Sequence, residues 1–163
     1  MWVAFVVAPL LALVNSLLFI RLRYGKNMFP YLLGTTDTDI VVMDGPLTPE
    51  TCAQFSERVD ELLHEHEYPK DTAMKAALFT EEIGLTILEK NDKKKLQIEI
   101  FLFFENDSVL LIERDSGAIF DLTDPDLKID GLSSFILSRL MEAHPEKAYL
   151  TTNGYNRIMM RFT

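Results

Sequence analysis

Only one cysteine, Cys52, stands in 163 residues. A disulfide needs two thiols and a thiolate zinc cluster more, so both frameworks are excluded. Basic residues are scarce as well: 16 Lys+Arg face 25 Asp+Glu, a formal net charge of -9. The scarcity is uneven. Arg21, Arg23 and Lys26 are the only charged residues before position 35, so the remainder carries three more negative charges than the whole, a net of -12. An acidic body of that size makes a poor nucleic-acid binder, because duplex affinity comes mainly from neutralising phosphates. Nucleic acid is therefore set aside as a partner. There is no internal repeat and no low-complexity tract. With 48% hydrophobic and 25% charged residues, the composition is that of a folded chain with room for one domain and a short appendage.

Charge is missing altogether from Trp2 to Ile20, WVAFVVAPLLALVNSLLFI, where only Asn15 and Ser16 are polar. At about 1.5 Å per residue, a helix of that length covers roughly the ~30 Å hydrocarbon core of a bilayer. A cleaved signal peptide would need a basic segment before the run and a small-residue cleavage site after it. Here no base precedes the run and RLRYGK follows it. The expectation is a transmembrane helix over 1–20, a single span, with a buried core helix as the alternative. The positive-inside rule puts everything after Arg21 in the cytoplasm. A span with no basic leader also resembles the last span of a larger multi-pass protein. Gly25, Pro30 and Gly34 then break up 21–37, which reads as a juxtamembrane linker.

From 38 to 163 the pattern alternates. Asp39–Asp44 is a short β-branched run closed by Gly45-Pro46. Thr48-Pro49-Glu50 is a helix start, with a hydroxyl cap, proline in the first turn and an acid at the positive dipole end. That helix repeats Phe55, Val59, Leu62 and Leu63 and runs to about Glu67; a second, which Asp71 would cap, spans about Asp71 to Lys90. Leu96 to Phe104 begins as an alternating strand and becomes apolar on both faces, as in a strand buried on both sides, and Val109 to Arg114 follows it. Leu132 to Met141 is helical with Leu132, Phe135, Ile136 and Leu140 on one face. Ala148–Thr152 and Tyr155–Phe162 flank Asn153-Gly154, a two-residue turn signal. The expected fold is α+β: a two-layer α/β sandwich with two or three helices on one face of a mixed, mostly antiparallel sheet.

Three places suit chemistry. Glu82, beside Glu81, lies one turn from Thr86 and next to Leu78 and Phe79, a setting that suits a general base. Asp115-Ser116-Gly117 ends a buried strand, where a carboxylate can accept a ligand amino group while glycine lets it approach. Gly131, followed by Ser133 and Ser134, opens a helix whose free N–H groups could face an anion. Each also has an ordinary reading: a solvated helix face, a turn and a plain cap. His64 and His66 lie two apart on a helix and point to different faces, and His144 adjoins Pro145, so no metal–histidine site is assigned. Cys52 reads as a structural thiol.

The order of these pieces resembles the GHKL (Bergerat-fold) ATP-binding domain, and within it the bacterial anti-sigma-factor serine kinase branch. FTEEIGLTILEKN resembles the N-box and LLIERDSGAIFD the first glycine box. DGLSSFILSRLMEA followed by TTNGYNRIMMRF resembles the second glycine box and the closing hairpin. The likeness spans about 38–163, read as the histidine-kinase-like ATP-binding domain. It implies that Glu82 is catalytic, polarising water or an attacking hydroxyl. It also implies that Asp115 accepts the adenine amino group, that Gly117 lets the base approach, and that Gly131 and Ser133 lie at the phosphates. Asn156 matches an asparagine of the last hairpin and reads as structural.

The departures fall on one end of the site. Thr86 stands where the family has its magnesium-holding asparagine. Ile119 stands near the second glycine of the first box, and Gly131-Leu132-Ser133-Ser134 replaces a Gly-x-Gly lid. A hydroxyl is a shorter and weaker Mg²⁺ ligand than an amide oxygen. The adenine end is thus expected to be better preserved than phosphoryl transfer. The resemblance implies a membrane-tethered cytoplasmic domain that binds ATP or ADP with Mg²⁺. It would act as a serine kinase on a small regulatory protein partner, or as a module attached to a membrane transporter. The alternative is a non-catalytic interaction domain that kept the fold and lost Mg-ATP. A sensor histidine kinase remnant is a weaker third reading, since it needs a phosphoacceptor helix upstream.

Overall fold

The computed structural model describes residues 14–15, 39–91, 95–119, 121, 131–144, 146–152 and 154–163. The chain divides into two units, Met1–Asp37 and Thr38–Thr163. In the first unit only Val14 and Asn15 are described, so the expected span over 1–20 and the linker over 21–37 lie outside the described residues. Among those described, no helix is long and apolar enough to cross a membrane.

The second unit is α+β, with the order β1 (Ile40–Pro46), α1 (Pro49–Glu65), α2 (Lys70–Lys90), β2 (Gln97–Phe104), β3 (Val109–Asp115), α3 (Leu132–Ala143), β4 (Lys147–Thr152), β5 (Tyr155–Phe162). The start of α1 follows its sequence signal. Thr48 is extended, its Oγ1 accepts from Thr51 N at 3.1 Å, and Pro49 occupies the first turn. At α2 the cap stands two residues before the expected one. Pro69 takes the cap position and makes no side-chain bond, while Asp71 sits in the first turn and pairs with Lys75. An acid there still meets the positive end of the helix dipole.

The five strands run in the order β1-β2-β3-β5-β4, and every described ladder is antiparallel, where a mixed sheet was expected. The reason lies in the second half of the chain. From β3 through α3 to β4 the chain makes the crossover that normally pairs two parallel strands. The tight turn at Gly154 (φ +79) then folds β5 back between them. β5 separates the two strands that would have paired in parallel.

One face of the sheet carries Ile98, Ile100, Leu102, Phe104, Val109, Leu111, Ile158, Met160 and Phe162, all in one core with Phe79, Ile83 and Ile87 of α2. Phe79 meets Phe162 edge-on at 5.8 Å between ring centroids. α2 is the central helix and packs against both α1 and α3. β2 keeps strict alternation: its even-numbered residues from Ile98 to Phe104 are buried, while Phe101 and Phe103 are only half-buried. It is therefore not closed on both sides as its composition suggested. α3 is rotated from its expected face. Ser134, Leu137 and Met141 point inward, while Leu132 and Phe135 are 74% and 55% exposed. Its apolar residues, Leu132, Phe135, Ile136, Leu137, Leu140 and Met141, spread over more than one face, so periodicity alone could not choose the buried side.

Candidate nucleotide site

Alternation along β3 sends Val109, Leu111, Glu113 and Asp115 to the helix side. Asp115 closes that series at 2% exposure, and its register partner on β5 is Asn156. Its Oδ1 accepts from Gly117 N at 2.5 Å and from Asn156 Nδ2 at 3.1 Å, while its Oδ2 accepts from no described residue. Burial raises the Asp115 pKa, and these two donors partly offset it. Asn156 also donates to the carbonyls of Ala118 (3.0 Å) and Gly117 (3.3 Å), and its Oδ1 accepts from the Tyr149 hydroxyl at 2.9 Å. One amide thus ties the end of β3, the following turn and β4 together.

The turn is fixed from the other side by Asn91, the buried residue that ends α2. Its Nδ2 caps the Ile87 carbonyl at 2.8 Å, and its Oδ1 accepts from Ala118 N at 2.7 Å. Gly117 lies between these two amides. A Cβ there would stand 2.7 Å from Asp115 Oδ1, 2.8 Å from Asn91 Nδ2 and 3.1 Å from Ile87 Cγ2. The protein's own close packing therefore requires a glycine here.

The second group lies along the seam between α2 and α3. Lys75, Phe79, Glu82, Thr86 and Glu89 form one stripe of α2, spaced by three and four residues. Both ends of that stripe are fixed against α3. The Glu89 carboxylate lies 3.1 Å from the place a Cβ on Gly131 would take, and Lys75 shares a cleft with His144. α3 therefore runs antiparallel along the stripe, with Glu82 and Thr86 beneath it. Glu82 is 8% exposed, Thr86 1% and Ser134 of α3 0%. Glu82 Oε2, Thr86 Oγ1 and Ser134 Oγ are all buried without a hydrogen-bond partner among the described residues. Ser133, singled out from the sequence, is only half-buried; Ser134 is the serine turned inward.

Gly131 is the N-cap of α3, with φ +108, a backbone region that favours glycine, and no side-chain cap. The first N–H groups of such a helix attract an anion. Here a protein carboxylate, Glu89, already stands at that end. Asp115 and Gly117 belong to one cluster; Glu82, Thr86 and Gly131 belong to the other.

The remaining candidates are structural. Cys52 is buried, and burial first, then the Glu81 carboxylate, push its thiol up to about 11, so no thiolate forms near neutral pH. His66 stacks on Phe104 at 3.9 Å, and His64 Nδ1 lies 2.8 Å from the Asp60 carbonyl. Among the described residues no group of three or more His, Cys, Asp or Glu side chains could hold a metal. Sequence reasoning missed Asn91, Glu89 and Glu113. Asn91 carries a signal, an asparagine just past the last helical turn; Glu89 carries none, because nothing local says which residue meets the start of α3. Compared with models of known families and with curated proteins, the chain matches none.

Proposed function

We propose that residues 38–163 form a nucleotide-binding regulatory domain of the GHKL type, tethered to a membrane by 2–20, with its adenine end built and its phosphate end reduced. The observation that carries this reading is Asp115. It is a buried carboxylate at a strand end whose Oδ1 is held by two donors and whose Oδ2 is left as an acceptor. That is the chemistry an exocyclic amine of adenine requires. Arg21, Arg23 and Lys26, directly after the apolar run, favour the cytoplasmic side for the domain. A small regulatory protein, or a transporter attached to the span, would read out its state.

The kinase form of this reading needs Glu82 as base and Thr86 on Mg²⁺. The orphaned Thr86 hydroxyl is an oxygen donor, but magnesium keeps a near-octahedral shell with several waters. At 1% exposure beneath α3, Thr86 has no room for that shell, and the pair fits the ion poorly. Glu89 at Gly131 also repels a phosphate from the start of α3. These two observations favour a nucleotide sensor over a phosphotransferase. Glu89 also gives weight to the second reading, an interaction domain that has lost Mg-ATP.

The test is calorimetric titration of the full chain in uncharged detergent with ADP, alongside Asp115→Asn. A hydrogen bond to a charged group contributes about 1.5–3 kcal/mol, so the variant is expected to bind about ten- to a hundredfold more weakly. Its Tm should stay close to that of the parent, because the amide oxygen still accepts from Gly117. Equal affinity in the variant would remove Asp115 from the site and the reading with it.

A further inference from the structure

On the sheet face turned away from the helices, Arg114 of β3 and Arg157 of β5 stand directly opposite each other in register. Like charges in that position destabilise an antiparallel pair. Arg114 is neutralised and fixed: Glu99 Oε2 lies 3.0 Å from its Nη1, and its guanidinium carbon stacks 4.1 Å from the centroid of the Tyr155 ring. Arg157 is exposed and has no carboxylate partner among the described residues. A chain with 25 acids has no shortage of carboxylates to offer it. Instead, the two arginines line a cleft of about 320 Å³ together with Tyr155 and Thr152, themselves register partners on β5 and β4.

We propose that this cleft binds a phosphate monoester group. A guanidinium fork pairs two phosphate oxygens at once, and the three terminal oxygens of a monoester can be shared between two forks. Tyr155 and Thr152 bring two hydroxyls to the lining, and Arg114 is shared with Glu99 while Arg157 is the free fork among the described residues. The cleft is at the lower end of the size range of small-ligand sites, enough for a phosphate and a short substituent. The site stands on the opposite sheet face from Asp115, and its fate is independent of the nucleotide reading.

The phosphate could sit on a soluble ester or on a lipid headgroup, and two arms separate these sources. In the first, the full chain in uncharged detergent is titrated with inorganic phosphate and with glycerol phosphate. Saturable binding is expected, weakened by added salt, and weakened at least about tenfold in Arg157→Gln. Arg157→Lys, which keeps the charge but loses the fork, should recover only part of the affinity. Arg157 is exposed, so neither variant should lower Tm in the absence of phosphate. In the second arm, the chain is placed in phosphatidylcholine vesicles with or without phosphatidic acid. Competition of phosphatidic acid with glycerol phosphate assigns the lipid, and undiminished glycerol phosphate binding assigns the soluble ester. Absence of saturable phosphate binding, or equal binding by Arg157→Gln, would overturn the proposal.

Discussion

Replacing Glu113 with leucine is expected to stabilise the fold by about 1–3 kcal/mol, the cost of an unsatisfied buried polar group. Few substitutions of a charged residue act in that direction. Glu113 sits on the helix side of β3 at 1% exposure, between Leu111 and Asp115 along the strand and between Ile100 and Ile158 across it. Its Oε1 has no hydrogen-bond partner among the described residues. Burial first, and then the Asp115 carboxylate, hold its pKa well above 4.5. The sign follows from linkage: the folded chain keeps a proton that the unfolded chain releases above about pH 4.5, so stability falls as pH rises from there to the folded pKa. Cys52 on α1 lies within the reach of the same carboxyl and stays a neutral thiol in that range. Urea midpoints at about pH 5 and about pH 8 test the account. The parent should lose stability between them and Glu113→Leu should lose much less. A variant weaker than the parent at both pH values would mean that Glu113 makes a stabilising contact.

The second large effect is expected at Asn156. Asn156→Asp is nearly isosteric, but it places an oxygen 3.1 Å from Asp115 Oδ1 where a donor now stands. Two carboxylates at that distance cannot both ionise, so one must take a proton. The variant also leaves the Ala118 and Gly117 carbonyls without their donor. A loss of about 3–5 kcal/mol is expected near neutral pH, the range found when a buried charge is left uncompensated. Because the shared proton raises the folded pKa, stability should return as pH falls through it. Equal losses at about pH 5 and about pH 8 would show that only the lost donor matters.

The parts of this fold legible in the sequence are those set by local chemistry. Thr48 and Pro49 name a helix start because a hydroxyl and a fixed φ act on the residues beside them, and Asn153-Gly154 names a turn for the same reason. What could not be read depends on distant partners. The insertion of β5 between β3 and β4 is a property of the whole sheet. Ser134 rather than Ser133 faces inward, on the side of Leu137 and Met141, and since apolar residues stand on more than one face of α3, hydrophobicity did not mark the buried side. Glu113 follows the alternation of Val109 and Leu111, but Leu110 and Ile112 made the other face look just as apolar. At the candidate site, Asp115 was legible as a strand-end carboxylate. Its side-chain partner, Asn156 from β5, and Asn91 from α2, which fixes the turn after it, come from elements well apart in the chain. The close packing of Gly117 against them has no local signature.

The most direct test of the nucleotide reading is calorimetric titration of the full chain in uncharged detergent with ATP, with and without Mg²⁺. The proposed reading, with a reduced phosphate end around Thr86 and Glu89, predicts saturable binding whose affinity changes less than about threefold when the ion is added. No binding under either condition would contradict the assignment of Asp115 as an adenine acceptor. A large gain with Mg²⁺ would contradict the view that Thr86 and Glu89 have closed the phosphate end.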